Sequence, residues 1–341
     1  MTTLASPKEC RPLYELLGQI KELGPWEWME EDDLFGVQDP ATGELGFVSI
    51  MGMAGEHYAV GVYRGAKGLY GYLHLKEMDP FLIRPEDLLN IPQLQASLED
   101  RELLEKRDRD QIKSLGLKYR GRNAWPQFRS YRPGYAPWYI EKDEARLLAF
   151  AMEQVLEVAP RVRDNPDILL QGGKKDFLVR AAEESTDGYI WRDTRMTIAP
   201  PAPTDLYVSI ADESLVAISQ MPKSAFRLEV DYFMMLNPIG SNKERPYFPY
   251  VLLILEATEG IPVDIQFLGP EPSHEEMFGT LGQRVLNGME LLGSRPTEIR
   301  FRDEMLYRML KPFEKRLGFK IKLVKDLPTF DYFASNLQAM M

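Results

Sequence analysis

The segment from residue 118 to residue 138 concentrates the side chains best suited to binding an anionic ligand. It holds five basic residues, six aromatic residues and no acidic residue. Guanidinium groups bind phosphate bidentately, and aromatic faces stack on unpaired bases. The pattern therefore predicts a site for single-stranded nucleic acid or a phosphorylated ligand, with these candidate residues: Arg120, Arg122, Trp125, Arg129, Tyr131, Arg132, Tyr135 and Trp138.

A structural role also explains this segment, and we favour it. Its three prolines would hold a loop whose rings pack against the domain and whose arginines pair with nearby acids. Such acids are abundant, because the chain has 52 acidic and 41 basic residues and a formal net charge of -11. The same excess of negative charge opposes non-specific attraction to nucleic acid or to an anionic membrane.

Length and composition indicate an ordinary globular protein of two domains. The chain has 341 residues, of which 44% are hydrophobic and 27% are charged. Its single cysteine, Cys10, excludes an internal disulfide, and three histidines leave too few ligands for a structural zinc ion. We expect a cytoplasmic protein, since neither a secretion signal nor a membrane-spanning segment is evident.

Other short motifs point to no cofactor. The run from Gly172 to Lys175 has two glycines and two lysines but not the spacing of a phosphate-binding loop, and we interpret it as a turn. The three histidines lie in no metalloprotease or nucleophile-elbow motif: His57, His74 and His274. We therefore expect no cofactor, while a protein or nucleic-acid partner and the oligomeric state stay open.

The first predicted domain, residues 1–165, is of the α+β class. Ser6, Pro7 and Glu9 form a capping box with proline in the first helical turn. Three β-prone runs then predict an antiparallel meander, at residues 47–51, 58–63 and 69–75. Charged, leucine-rich sequence between residues 85 and 115 predicts one or two helices, and another helix follows from Asp143. Turn residues between 161 and 175 indicate a linker, where we place the domain boundary.

The second predicted domain, residues 176–341, has a more regular pattern. After strands at 177–181 and 189–198, it predicts three strands, at 226–236, 250–257 and 263–268. Helices predicted to begin at Ser273 and Asp303 alternate with strands at 297–302 and 319–323, and a last helix covers 329–341. The resulting order is βββαβαβα, which contains a parallel crossover.

Two groups of motifs resemble a known family. The segment Trp125–Trp138 has the pattern WPxFRSYRPGYxPW, and it occurs together with Arg245-Pro246-Tyr247-Phe248-Pro249, Arg295-Pro296 and Leu327-Pro328. This combination resembles an uncharacterised bacterial family of two-domain proteins, described as a domain of unknown function. The resemblance implies a shared fold and no particular activity.

The order of elements from Phe226 onward is similar to that of a ribonuclease-H-like domain. Integrase-type members of that group keep two metal-binding acids where this chain has Asp231 and Asp303. Their third acid is usually a glutamate on a late helix, whereas this chain has Asp331. The resemblance implies a divalent-metal site, with Glu256 or Glu259 as substitutes, in which carboxylates would hold Mg²⁺ or Mn²⁺ ions about 4 Å apart.

Two functions follow from these patterns. The first, which we favour, is a non-catalytic binding or regulatory protein, because the late glutamate is absent and histidines are few. The second is a divalent-metal nuclease or a transposase-like relic acting on nucleic acid. Structural roles compete with the second hypothesis, since Asp303 lies at a helix N-cap position and Glu229 and Asp231 share one face of a strand.

Overall fold

The computed structural model describes residues 3–170, 175–186, 188–202, 206, 210–241 and 244–340. Two compact units divide the chain. Unit 1 contains residues 1–133 and 137–202, and unit 2 contains residues 134–136 and 203–341. Most of the predicted phosphate-loop-like turn, from Gly172 to Lys174, lies outside the described residues.

Unit 1 combines five helices with a seven-stranded sheet in its described part. The helices are α1 (Pro7–Leu23), α2 (Gly65–Glu77), α3 (Pro85–Leu89), α4 (Lys106–Ser114) and α5 (Lys142–Asp164). The strands are β1 (Phe35–Gln38), β2 (Leu45–Met51), β3 (Tyr58–Arg64), β4 (Gln93–Glu99), β5 (Trp125–Tyr131), β6 (Asp176–Ser185) and β7 (Gly188–Thr197). Their order in the sheet is β5-β4-β3-β2-β1-β6-β7, and only the β1–β6 pair is parallel among these described strands.

Helices α1 and α5 pack together to form the main core of unit 1. The predicted capping box is present, because the Glu9 backbone N–H donates to Ser6 Oγ and the Ser6 backbone N–H donates to Glu9 Oε2. Apolar residues on α1, including Leu13 and Leu17, are buried against α5 residues such as Val155. This burial of two amphipathic helices on one sheet supplies most of the hydrophobic stabilisation of the unit.

Two predictions for unit 1 were wrong about element type. Residues 69–75, predicted as a strand, lie in α2, where Leu69, Tyr72 and Leu75 are buried at a helical spacing of three. Residues 85–115 contain strand β4 between two helices. In β4, Leu94, Ala96 and Leu98 are buried alternately with partly exposed glutamines, which is the period of a strand, but flanking charged helices obscured it in the sequence.

The aromatic and basic segment also differs from its prediction. Residues 125–131 form β5, which pairs with β4 over seven positions, whereas we expected a loop. Phe128 and Ser130 face the buried side of the sheet. A strand that carries polar residues among its aromatic ones has a weak alternation signal, so only its partner strand identifies it.

The units separate at residues 202 and 203, later than the predicted boundary between 161 and 175. Strands β6 and β7, predicted for the second domain, extend the sheet of unit 1. Strand β6 joins the sheet of unit 1 by pairing in parallel with β1, where Gly36 lies opposite Val179. Pairing between residues so distant in sequence leaves no local signal, so turn residues alone placed the boundary too early.

Unit 2 surrounds a five-stranded sheet with helices. Its described strands are β8 (Arg227–Met234), β9 (Tyr250–Glu256), β10 (Pro262–Leu268), β11 (Glu298–Phe301) and β12 (Lys320–Leu323). Its described helices are α6 (Asp212–Gln220), α7 (His274–Gly279), α8 (Leu281–Glu290), α9 (Glu304–Leu310), α10 (Glu314–Leu317) and α11 (Pro328–Met340). The sheet order is β10-β9-β8-β11-β12, antiparallel as far as β8 and parallel from β8 to β12.

Alternation along β9 places helices on both faces of this sheet. Val251, Leu253 and Leu255 are buried with α11 residues, among them Phe330. Ile254, on the opposite face, lies close to α8 at Gly288. The predicted α+β class is confirmed for both units, while the ribonuclease-H-like assignment stays a prediction.

No described helix combines the length and apolar character needed to cross a membrane.

Candidate functional site

Arg129, a predicted ligand contact, lies inside unit 1. Its guanidinium donates two hydrogen bonds to the Asp108 carboxylate, at 2.9 and 2.6 Å, and both side chains are buried. Burial lowers the pKa of Arg129, but its hydrogen bonds to Asp108 and the negative charge of that carboxylate more than reverse this and keep the guanidinium charged. Asp108 is held in turn, because it accepts a hydrogen bond from the Glu105 backbone N–H at the start of α4. The pair joins β5 to α4.

Arg132 is engaged in the same way at the start of α5. It donates to Glu144 at 2.7 Å and forms an ion pair with Glu141. Glu144 also accepts hydrogen bonds from Arg64 and from Ser130 Oγ. Burial raises the pKa of Glu144, yet Arg132, the Glu141 backbone N–H and the Ser130 hydroxyl hold it below its ordinary value.

The remaining candidates of the segment do not form one surface. Arg120 and Arg122 are exposed, and Arg122 forms an ion pair with Asp100. Tyr135 belongs to unit 2, where its neighbours bond to the backbone at Pro246 and Phe248. The others lie in unit 1 with intramolecular contacts of their own: Trp125 with Arg101, Tyr131 with Gln95, and Trp138 with Tyr139.

The predicted acids of unit 2 lie near the carboxyl end of β11, where Asp231 is in the middle of the longer neighbouring strand β8. Val230 lies opposite Phe301 in the parallel register, so Asp231 and Arg302 are neighbours immediately beyond this pair. Arg302 donates to Asp231 from Nε at 2.9 Å. Arg302 also donates from Nη1 to Asp331 of α11 at 2.8 Å. One guanidinium therefore bridges two of the three predicted acids.

The third acid, Asp303, has structural partners. It is the N-cap of α9, accepting from the Leu306 backbone N–H at 2.8 Å, and it also accepts from the Tyr232 hydroxyl at 3.2 Å. Burial raises the pKa of Asp231 to about 6; the nearby Asp303 acts in the same direction and Arg302 opposes it. In the described part of the chain, no cluster of three or more His, Cys, Asp or Glu residues has a geometry suited to a metal ion.

The neighbouring glutamates stabilise backbone. Glu229 is buried and accepts a hydrogen bond from the Phe330 backbone N–H, at the start of α11. Glu256 accepts from the Thr258 and Glu259 backbone N–H groups, which closes the turn after β9. The carboxylates of Glu229 and Glu256 are thus bound by backbone N–H groups of the protein itself.

A groove of about 1170 Å³ in unit 1 is the feature that sequence interpretation missed. Its described walls come from five places: residues 30–32, the β2–β3 turn at 51–57, helix α2, the connection 78–89, and strands β4 and β5. Tyr63 and Tyr72 form its floor, with their rings stacked at 4.5 Å. Tyr72 is fixed there, since its hydroxyl donates to the Asp32 carboxylate at 2.7 Å.

Large apolar side chains are exposed along one side of the groove. Leu88 and Met53 both line the groove and are 51% and 50% exposed. Phe81 and Leu82, next in sequence to the lining residues Pro80 and Ile83, are 95% and 66% exposed but do not line the groove themselves. Exposed apolar side chains at a groove are typical of an interaction site.

Local caps hold these apolar residues in place. Asp79 accepts a hydrogen bond from the Phe81 backbone N–H at 3.0 Å, and Asp87 accepts from the Arg84 backbone N–H at 2.9 Å. The connection therefore has a defined backbone although its apolar side chains face solvent. The available sequence signal was this apolar run between two Asp caps and two prolines, which lies just before the segment predicted as helical.

Polar groups form one end of the groove. Gln95 contacts His57 Nε2 at 3.0 Å and accepts from the Tyr131 hydroxyl at 3.0 Å. Gln93 Oε1 is buried, and no donor reaches it from the described residues. A buried acceptor without a donor costs free energy.

Fold and sites together define a two-domain protein whose two domains have no assigned function. Residues 11–180 match the model of the family described as domain of unknown function DUF7309. Residues 214–338 match that of a second one, DUF6930. The two matches cover most of the chain and agree with the uncharacterised two-domain family predicted from the motifs. No curated protein matches the chain.

Proposed function

We propose that this protein is a non-catalytic binding protein, and that the groove of unit 1 takes a segment of a partner protein. The observation behind this proposal is a groove whose walls carry apolar side chains above the tyrosine floor, two of which, Met53 and Leu88, are about half exposed. Protein interfaces use such apolar centres with polar rims. Grooves in a protein surface are common binding sites for peptide segments.

Three further features support a non-catalytic role in the bacterial cytoplasm. Arg302 neutralises Asp231 and Asp331, the acids that a two-metal mechanism would require. The one cysteine, Cys10, is buried and free of any disulfide, as expected in a reducing compartment. Binding through the groove requires no cofactor.

The test is selection from a random peptide library displayed on phage, with the full-length protein as bait. We expect selected peptides to lose about tenfold or more in affinity when Leu88→Ser removes an apolar wall, because a buried leucine contributes about 1.5 to 3 kcal/mol. Leu103→Ser is the matched control, since Leu103 is a 66% exposed leucine of unit 1 outside the groove. Peptides that bind the Leu88→Ser protein as tightly as the wild type would refute the proposal.

A second copy of the chain is the competing occupant. Sedimentation of the wild type and of Leu88→Ser distinguishes the two cases. We expect both to be monomers at micromolar concentration. A wild-type dimer that Leu88→Ser dissociates would assign the groove to self-association and overturn the proposal of a separate partner.

A divalent-metal nuclease is the second candidate function. It is favoured by the position of Asp231 within β8 beside the end of the parallel strand β11, which Asp303 follows, and by the ion pairs of Asp231 and Asp331 with Arg302. Thermal unfolding in millimolar Mg²⁺ or Mn²⁺ tests it. We expect no upward shift in Tm, because Arg302 already supplies the positive charge; a rise that Asp231→Asn abolishes would instead support metal binding.

A further inference from the structure

The groove has a strongly acidic rim. Glu30, Glu31, Asp32 and Glu56 all line it and are exposed. Lys76 is the one lysine or arginine among the described lining residues, and it already forms an ion pair with Asp32. The carboxylates of Glu30, Glu31 and Glu56 make no hydrogen bond or ion pair with other described residues. Three like charges thus surround an apolar groove without local compensation.

The backbone that presents these acids is firmly held. The Glu31 carbonyl accepts a hydrogen bond from Ser49 Oγ at 2.8 Å, and the neighbouring Asp32 carboxylate accepts from the Tyr72 hydroxyl at 2.7 Å. The Glu30 backbone N–H donates to Asp33 at 2.8 Å. Since the main chain is anchored to the strand and to the tyrosine floor, the rim charges stay beside the groove. A ligand bearing positive charge would meet them without reorganising the loop.

Resting on the proposed function, we infer that the partner segment is cationic: an apolar anchor flanked by Lys or Arg residues. Apolar contacts supply the affinity, because each solvent-exposed ion pair contributes little. The acidic rim supplies selectivity and speeds association. Met51, Met53 and Met78 in the walls adapt to the shape of the anchor, as methionines do at other peptide-binding surfaces.

The charge of the rim also narrows the ligand chemistry. An acidic segment, in contrast, would place like charges against the rim. A nucleic acid is disfavoured for the same reason.

The experiment uses a peptide selected on the wild-type protein. Its affinity is measured by fluorescence anisotropy for the wild type and for the triple variant Glu30→Gln, Glu31→Gln, Glu56→Gln. We expect enrichment of Lys and Arg in the selected sequences and a loss of about tenfold in the triple variant. Raising salt from about 0.05 M to about 0.3 M should weaken wild-type binding and leave the variant nearly unchanged.

A second triple variant controls for net charge. Glu22→Gln, Glu157→Gln, Glu184→Gln removes three exposed acids of unit 1 that lie outside the groove. We expect it to bind the peptide as the wild type does. Groove-dependent peptides without basic residues, or equal losses in both triple variants, would overturn the inference and leave the proposed function intact. Failure to select any groove-dependent peptide would instead reject the proposed function.

Discussion

A buried ion pair determines the role of Arg129, one of the predicted ligand contacts. Arg129 lies in a segment whose composition predicted ligand binding. Its guanidinium instead donates two hydrogen bonds to Asp108. Charges taken out of water are tolerated only with such complete pairing. The role of Arg129 is therefore to hold β5 on α4, which agrees with the structural hypothesis we favoured from the acidic composition.

Removal of Arg129 should be severely destabilising. Arg129→Met leaves the buried Asp108 carboxylate without its counter-ion, and we expect the free energy of unfolding to fall by about 3 kcal/mol. The double variant Arg129→Met, Asp108→Asn should recover part of this loss, because the neutral amide can still accept from Glu105. Urea denaturation measures both. A loss well below 1 kcal/mol would mean that the pair contributes no more than an exposed one.

Asp231 makes stability depend on pH. Its pKa is about 6 in the folded protein and near its ordinary value of 3.8 in the unfolded chain. The folded state therefore holds the extra proton between these values, so the contribution of Asp231 is largest below pH 4 and is lost as pH rises through 6.

The difference in unfolding free energy between wild type and Asp231→Asn isolates this effect. We expect the wild type to lose about 2 kcal/mol of unfolding free energy, relative to Asp231→Asn, between pH 4.5 and pH 7.5. Other titrating groups cancel because both proteins contain them. A difference that does not vary with pH would show that Arg302 keeps the Asp231 carboxylate ionised throughout.

At the scale of elements, α2 shows how tertiary contact decides helix position. A Cβ at Gly68 would lie 2.6 Å from the Pro92 carbonyl oxygen and 2.8 Å from the Tyr63 carbonyl carbon. Neither neighbour is a flexible side chain. The helix can approach β3 and the start of β4 this closely only because position 68 has no side chain.

Gly68→Ala and Gly18→Ala should therefore have opposite effects. We expect Gly68→Ala to destabilise the protein by about 2 kcal/mol through backbone displacement. Gly18 lies within α1 with no atom near its missing Cβ, so alanine there should stabilise by about 0.5 to 1 kcal/mol. Thermal unfolding of the pair is the measurement. Stabilisation by both substitutions would mean that α2 can move away from the sheet at little cost.

Sequence pattern was sufficient for elements with a strong local signal. The capping box of α1, the buried run of β9 and the start of α7 at Ser273 were predicted and are present. It was insufficient for α2 and β4, where glycines or flanking charges weaken periodicity. Packing against neighbours then decides between helix and strand.

At the scale of the whole molecule, unit 1 extends to residue 202 because β6 completes its sheet. Phe177, Leu178 and Val179 of β6 are buried in its two hydrophobic clusters. A chain that ends before β6 would expose β1 as an unpaired edge and lose three buried side chains, each contributing about 1.5 to 3 kcal/mol.

Truncation tests this boundary. We expect a fragment of residues 1–202 to unfold cooperatively in urea, and a fragment of residues 1–165 to be unfolded or aggregated. Circular dichroism and gel filtration compare the two. A cooperative transition for the shorter fragment would restore the boundary predicted from the sequence.

The sequence by itself determined the α+β class, the presence of two domains, the main helices and the acidic character, because these depend on composition and on local periodicity. Only the tertiary structure decided where the domains divide, which arginines are bound internally, and that an apolar groove with an acidic rim exists in unit 1. Each of these depends on residues distant in the chain, such as Gly36 with Val179 or Arg129 with Asp108. Such neighbours become known only when the sheet is assembled.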